Sequence, residues 1–379
     1  IAGAGTRQDG ADDAVVALSR RAQIPVATTL SDVGAYPNSD ELYLGVIGTA
    51  GHPSTHRYIN EEADLILVVG SRMELMLSAP IQAALERCDV WFVDVETSCV
   101  TERFPKAKCV EGGLQKTIEA LADRWPVRLV GASRPEGYVH QRFLPQLAAP
   151  TRLTEANACP PDALLQSEAL AMLQGALPGG GHLLFDAGNC AASALHYLSI
   201  PEDTSTTIAL GMGGMGYAIP AAVGAQLGSQ GGQRSIVLCG DGAFLLLGLE
   251  IHTAVDLGLP ILFVVFNNGA HGMCVTRQQL FFDSRIECSQ YADVNVADVA
   301  RGLGSPSQLW IGSAQTRAGL ESALASYDAW GDRGPGVLEL VLRQEEVPPF
   351  TPFLPADAPV SDTLVHERPA PSKRSTYAA

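Results

Sequence analysis

Residues 235–247 read SIVLCGDGAFLLL, and residues 261–268 read ILFVVFNN. The apolar run at 236–239 has the length of a buried strand and residues 245–255 have the spacing of a helix. Asp241 therefore sits between two glycines on a tight strand-to-helix turn. Alone, such an aspartate serves as a turn residue or a helix N-cap. The second stretch changes that reading. A helix of about a dozen residues fits between the turn and the next strand, which makes one βαβ unit with parallel strands. Asp241 and Asn268 then leave the sheet at the same carboxyl edge, where open α/β sheets bind ligands.

The chain has 379 residues, 46% of them hydrophobic, enough for two domains of ordinary size. Its net charge is −16, with acids spread along the length, which argues against a nucleic acid or an anionic membrane surface as partner. No apolar run reaches the ~18–20 residues of a membrane span, and the first twenty residues carry no signal-like apolar core. Eight scattered cysteines form neither a CxxC pair nor a zinc-type cluster with histidine. These features together predict a cytoplasmic protein.

Short apolar runs alternate with helical stretches from the start: IAGAG, a helix over 11–22, IPVATT, a helix near 56–62, ADLILVVG, a helix over 79–87, then VWFVDVE. This alternation predicts a parallel sheet covered on both faces, in a first domain spanning 1–125. GAGT after the first run lacks the remaining glycine and the acidic residue of a dinucleotide fingerprint, which argues against nicotinamide binding. Residues 126–160 read as a linker with a short helix near 138–147. A second α/β domain over 161–345 has strands in GHLLFDAG, STTIALG, RSIVLCGDG, PILFVVFNN and GVLELVL. Residues 346–379 read as a proline-rich surface arm or disordered tail. The predicted fold class is α/β, two doubly wound parallel-sheet domains.

A carboxylate, an amide oxygen and a nearby backbone carbonyl form a hard-oxygen donor set of the kind Mg²⁺ prefers, with positions left for water or phosphate. The glycine-rich turn and following helix start add N–H groups for the same phosphates. The GDG turn, the double asparagine and the 27 positions from Asp241 to Asn268 resemble the thiamine-diphosphate motif of the decarboxylase and acetolactate-synthase superfamily. GMGGMGYAIPAAVGAQLG and LLFDAGNCAASALHYL resemble its cofactor-binding domain. PVATTLSDVGAYPNSDELYLGVIGTAG with EEADLILVVGSRM and VWFVDVE resembles its middle domain. The resemblance covers about residues 1–343.

By position, the resemblance implies that Asp241 and Asn268 bind Mg²⁺ by side chain and Ala270 by its carbonyl. It places Gly213, Gly240, Gly242, Ala243, Gly272 and Met273 against thiamine diphosphate. Gly242 and Ala243 would offer N–H groups to the diphosphate. Asn189 and Cys190 stand where relatives carry a diphosphate-contacting pair, often Gln–His, so the sequence departs there. Met215 matches the bulky residue beneath the cofactor. His271 and Cys274 are expected to face the thiazolium and substrate. Where Cys274 stands some relatives carry a glutamate, and its replacement leans the reading from decarboxylation toward carboligation. Arg277 suits the carboxylate of a 2-keto acid, since a planar guanidinium holds that group bidentately.

Members with these two domains begin with a third, which supplies the glutamate that activates the pyrimidine; residues 1–379 hold no match to it. The expectation is a cofactor-anchoring subunit of a split 2-keto acid carboligase, joined to a pyrimidine-binding subunit as a hetero-oligomer of two plus two. A simple 2-keto acid decarboxylase, a non-catalytic cofactor-binding or regulatory relic, and a fragment of a longer enzyme are the alternatives. GSRMELMLSAP lacks the polar and arginine pattern expected of a flavin site, so FAD is not expected.

Overall fold

The computed structural model describes residues 1–125, 146–148, 151–152, 162–177, 179–229, 233–342, 346–353 and 360–365. By mutual contacts these form two units. The first holds 1–125, 146–148, 199–202 and 360–365, and the second holds the rest.

In the first unit β1 (Val26–Thr29) pairs with β2 (Tyr43–Ile47), and β3 (Leu65–Val69) with β4 (Asp89–Asp94), which pairs with β5 (Lys108–Glu111), all parallel. The IAGAG run is not a full strand. Only Ala2 bridges to Thr28 and Val69, joining β1 to β3, before the chain turns into the helix Ala4–Gln8. The glycines of GAGT serve packing: a Cβ on Gly3 would lie 2.4 Å from the Gly70 carbonyl oxygen, and one on Gly5 2.8 Å from Gly70 Cα. The helices Asp12–Ala22 and Leu114–Arg124 cover one face, burying Val15, Leu18, Leu114 and Ile118 with Tyr36, Val69 and Val93.

The second unit is built on a parallel sheet of six strands among the described residues: β6 (His182–Phe185), β7 (Ser205–Ile208), β8 (Ser235–Gly240), β9 (Ile261–Asn267), β10 (Trp310–Ala314) and β11 (Gly336–Val341). Their order is β10-β11-β9-β8-β6-β7. All seven residues of β9 are buried, as expected of a central strand covered on both faces. Val237, Cys239, Phe263 and Val265 pack with Ile219, Ala222, Phe244 and Ile251 from the helices on one face. The sequence reading passed over β10, whose WIGSA mixes small and polar residues, and β2 and β5 as well.

Two expectations need correction. Of the helix expected near 138–147, residues 138–145 lie outside the described residues. Gln146–Ala148 is a strand, pairing antiparallel with Val360–Val365. The segment from 346 is therefore not simply an arm or a tail, because pairing of its backbone offsets its lack of apolar period. Glu346–Val347 also pairs with Thr151–Arg152, and Thr351–Phe353 is a turn of 3₁₀ helix. The other linker and tail residues lie outside the described residues.

Two histidines hold the end of β2. His52 Nδ1 accepts a hydrogen bond from the Val46 N–H at 2.9 Å, and His56 Nε2 accepts one from Gly48 N–H at 3.2 Å. Burial lowers the His56 pKa from 6.5 to about 4. The unfolded chain then takes up a proton that the folded chain refuses, so this group destabilises the fold as pH falls from about 6.5 to about 4 and has no effect above that window. Thermal midpoints measured across that range should fall more steeply for the wild-type chain than for His56→Gln, whose amide oxygen can still accept from Gly48.

Candidate functional site

The parallel register of β8 and β9 sets Gly240 opposite Phe266. Asp241 and Asn268 consequently emerge side by side at the carboxyl edge, as the βαβ reading requires. They open onto a cavity of about 270 Å³ within the second unit. All the residues singled out from sequence line it: Asn189, Cys190, Gly213, Met215, Gly240, Asp241, Gly242, Ala243, Asn268, Ala270, His271, Gly272, Met273, Cys274 and Arg277.

Asp241 is 2% exposed and begins the helix Asp241–Leu247. Its Oδ1 accepts from Gly242 N–H at 2.9 Å and its Oδ2 from Gly269 N–H at 2.8 Å. Burial raises its pKa, and the surrounding N–H donors with the nearby Tyr291 hydroxyl oppose that shift. The Gly242 N–H, expected to meet a diphosphate, is engaged by Asp241 in this structure.

The two adjacent asparagines do different work. Asn267 faces away from the cavity: its Nδ2 donates to Glu339 Oε1 and to the Val294 carbonyl, both at 2.7 Å. Asn268 lines the cavity, and its Oδ1 accepts from Ala270 N–H at 3.1 Å. The loop carrying Ala270 is strapped by a short antiparallel bridge, with His271 N–H donating to Ser289 O at 2.8 Å and Tyr291 N–H to Gly269 O at 3.1 Å.

Asp186, just after β6, holds the glycine-rich segment in place. Its buried carboxylate accepts from the N–H groups of Ala187, Gly216 and Ala218 at 2.8–2.9 Å. It therefore ties the glycine-rich segment around Met215 to the sheet. Met215 is 39% exposed, and its sulfur lies 3.6 Å from where a Cβ on Gly242 would stand. That same Cβ would approach His271 Nδ1 to 2.9 Å, so only glycine leaves the floor of the cavity clear. Asn189 begins the helix Asn189–Tyr197 and donates from Nδ2 to Thr276 Oγ1 at 3.2 Å. Burial, with Asp186 nearby, pushes the Cys190 thiol up to about 12, so it is held as a neutral thiol.

His271, Cys274 and Arg277 follow on the helix Gly272–Phe281 or its cap. The His271 ring meets Tyr291 edge-on, with centroids 5.3 Å apart. Cys274 is exposed, and the Arg277 guanidinium lies over the Phe353 ring at 5.9 Å. Sequence reasoning did not single out Asp186, Tyr291, Glu339 or the cavity-lining Gln166. Asp186 had a signal, an acid ending the apolar run LLF with a glycine two residues on, much as Asp241 follows an apolar run among glycines.

The cavity offers oxygen donors to a cation and unmet polar groups to a ligand. Asn189 Oδ1 and His271 Nδ1 are buried without a hydrogen-bond partner, and such groups are costly unless something meets them. Among the described residues no three His, Cys, Asp or Glu side chains cluster as a metal site. A cation here would rest on Asp241, Asn268, the Ala270 carbonyl and ligand oxygens, a set suited to Mg²⁺.

Two family models match the chain: the central domain of thiamine pyrophosphate enzymes over residues 1–121, and their C-terminal TPP-binding domain over 186–340. Among curated proteins, the mitochondrial acetolactate synthase of Schizosaccharomyces pombe is 24% identical over 92% of this chain and 52% of its own length. The large subunit of acetolactate synthase isozyme 1 of Escherichia coli is 26% identical over 76% of this chain and 49% of its own. The chain spans about half the length of the curated relatives it matches. An X-ray structure from Mycobacterium smegmatis, described as that of a thiamin diphosphate-dependent enzyme, shares the fold with a TM-score of 0.67 at 20% identity. That match covers 90% of this chain and 60% of the other. The GDG–NN turn, the cavity it opens onto and the two matched domain models make one conclusion: the chain belongs to the thiamine-diphosphate-dependent enzyme family, of which it carries the central and cofactor-binding domains.

Proposed function

We propose that this chain anchors thiamine diphosphate and Mg²⁺ for a reaction of 2-keto acids, decarboxylation followed by carboligation as in acetolactate synthases. The observation that carries the reading is the convergence of Asp241, Asn268, Ala270 and Met215 on one cavity. When bound, the cofactor supplies a nucleophilic carbon for the keto carbonyl and a sink for the electron pair left by CO₂.

Asp241 would supply the charged oxygen that holds the cation, whose positive charge offsets that of the diphosphate. Asn268 and the Ala270 carbonyl complete the protein's share of ligands. Met215 supports the cofactor from beneath, and Gly242 keeps the space beside His271 open. The exposed Arg277 guanidinium, at the cavity wall, holds the keto acid carboxylate. Cys274 offers no carboxyl proton donor at the substrate-facing position, which favours ligation of a second carbonyl over protonation.

Among the described residues lining the cavity Asp241 is the one carboxylate, and the metal reading engages it, so no other is left there to activate the pyrimidine. The activating carboxylate comes from a pyrimidine-binding domain, and the face beside the cavity suits a protein partner. Leu245, Leu246 and Leu249 are 49%, 58% and 71% exposed and Met212 is 95% exposed, an excess of large apolar side chains for free surface. Residues 1–379 mixed with a separate pyrimidine-binding domain should turn over 2-keto acids, and replacing that domain's glutamate by glutamine should remove ~10²–10⁴-fold of the rate. Full turnover by residues 1–379 with only Mg²⁺ and thiamine diphosphate would overturn the partner requirement. Product masses from a keto acid panel separate ligation from simple decarboxylation.

Asp241→Ala should abolish Mg²⁺-dependent binding of thiamine diphosphate in calorimetry, because the metal loses its charged protein ligand and the diphosphate meets an acidic protein. An unchanged affinity would remove the metal assignment. Arg277→Ala should raise KM for the keto acid more than it lowers kcat, as expected where a group holds ground state and transition state alike. If neither constant moves, Arg277 has no part in substrate binding.

A further inference from the structure

We propose that Glu339 is a positioning residue for the metal-binding turn, acting through Asn267. Glu339 lies in β11, is 2% exposed, and pairs across the sheet with Val265 and Ser313. Its Oε1 accepts from Asn267 Nδ2 at 2.7 Å and Val296 N–H at 3.0 Å. Its Oε2 accepts from Ala297 N–H and Ser313 Oγ, both at 3.2 Å. A buried carboxylate is costly unless its lone pairs are met, and here four donors meet them with no cation paired to it among the described residues.

The consequence reaches the cavity through one amide. Both Nδ2 hydrogens of Asn267 are directed to acceptors, Glu339 Oε1 and the Val294 carbonyl. The amide is thereby locked, with Oδ1 as the atom facing Gly269 N–H at 3.3 Å. That same N–H donates to Asp241 Oδ2 at 2.8 Å. Glu339, Asn267, Gly269 and Asp241 thus form one continuous hydrogen-bonded chain between the sheet interior and the proposed metal ligand. Gly269 sits at φ +68°, a left-handed conformation that this shared bond helps to hold between Asn268 and Ala270. With Glu339 replaced by glutamine, the charge-assisted bond to Asn267 Nδ2 becomes a weaker neutral one, or a donor faces it, and the lock is loosened. Polar groups that orient metal ligands typically change metal affinity about 10–100-fold when removed.

The inference rests on the metal reading above, and the test separates the two. Mn²⁺ affinity of the 379-residue chain is measured by electron paramagnetic resonance with thiamine diphosphate present, alongside the thermal midpoint, for wild type, Glu339→Gln, Asn267→Ser and Ser313→Ala. Glu339→Gln and Asn267→Ser should each weaken Mn²⁺ binding by about tenfold or more. Ser313→Ala, which removes a bond from the far oxygen of the same carboxylate, should leave Mn²⁺ affinity unchanged even where the midpoint falls. Wild-type affinity in folded Glu339→Gln overturns the proposal. Should that variant not fold, wild-type affinity in Asn267→Ser overturns it, and an equal loss in Ser313→Ala reduces Glu339 to a stability role. If wild-type chain binds no Mn²⁺, the metal reading itself fails.

Discussion

The pairing of β8 with β9 is the constraint on which the site depends. Two parallel strands joined by a helical crossover must end at the same edge, so the acid that ends one and the asparagines that end the other are brought together by backbone hydrogen bonding alone. Burial of both strands on both faces fixes the register, since a slip of one residue would exchange Val237, Cys239, Phe263 and Val265 with the side chains packed on the other face. The register in turn sets Gly240 beside Phe266 and thereby Asp241 beside the Asn267–Asn268 pair.

Around this pairing, buried carboxylates act as clamps on backbone. Asp186 gathers three N–H groups from the start of a helix and from the glycine-rich segment. Asp241 gathers two from its own turn and the next loop, and Glu339 two from a helix start with two side-chain donors. Each charge is met by donors whose positions would otherwise be loose, because glycine-rich segments carry little side-chain packing of their own. The walls of the cavity are therefore set by polar bonds to the sheet, while the apolar core beneath supplies most of the free energy that keeps the sheet itself in place. The partnerless Asn189 Oδ1 and His271 Nδ1 leave hydrogen-bonding capacity there for a ligand, the amide oxygen only toward a group that donates.

The legibility of these features follows their range along the chain. The strand, the GDG turn and the double asparagine are local patterns, and the βαβ rule converts them to a shared edge, so Asp241, Asn268 and the cavity-lining start of the next helix could be named in advance. Glu339 could not: in GVLELVL it reads as an alternation break in a buried strand, and its partners come from residues 267, 296, 297 and 313. The IAGAG run reads as a strand from its apolar residues, whereas only Ala2 bridges and the chain turns into the helix Ala4–Gln8, with Gly3 and Gly5 packed close against Gly70. Strand pairing near 346 and 360 was hidden for the same kind of reason, since its partners lie some two hundred residues earlier in the chain.

By itself, then, the sequence determined the fold class, the edge at which the site forms and the residue types gathered there, because periodicity and turn chemistry are short-range properties that parallel topology projects to one place. Only the tertiary structure decided that Asn267 is bound inward to Glu339. It also decided that Asp186 holds the Met215 segment and that Cys190 is a buried neutral thiol. Those outcomes depend on which donors and acceptors from distant segments are left to one another once water is excluded, and that competition has no signature in the local order of residues.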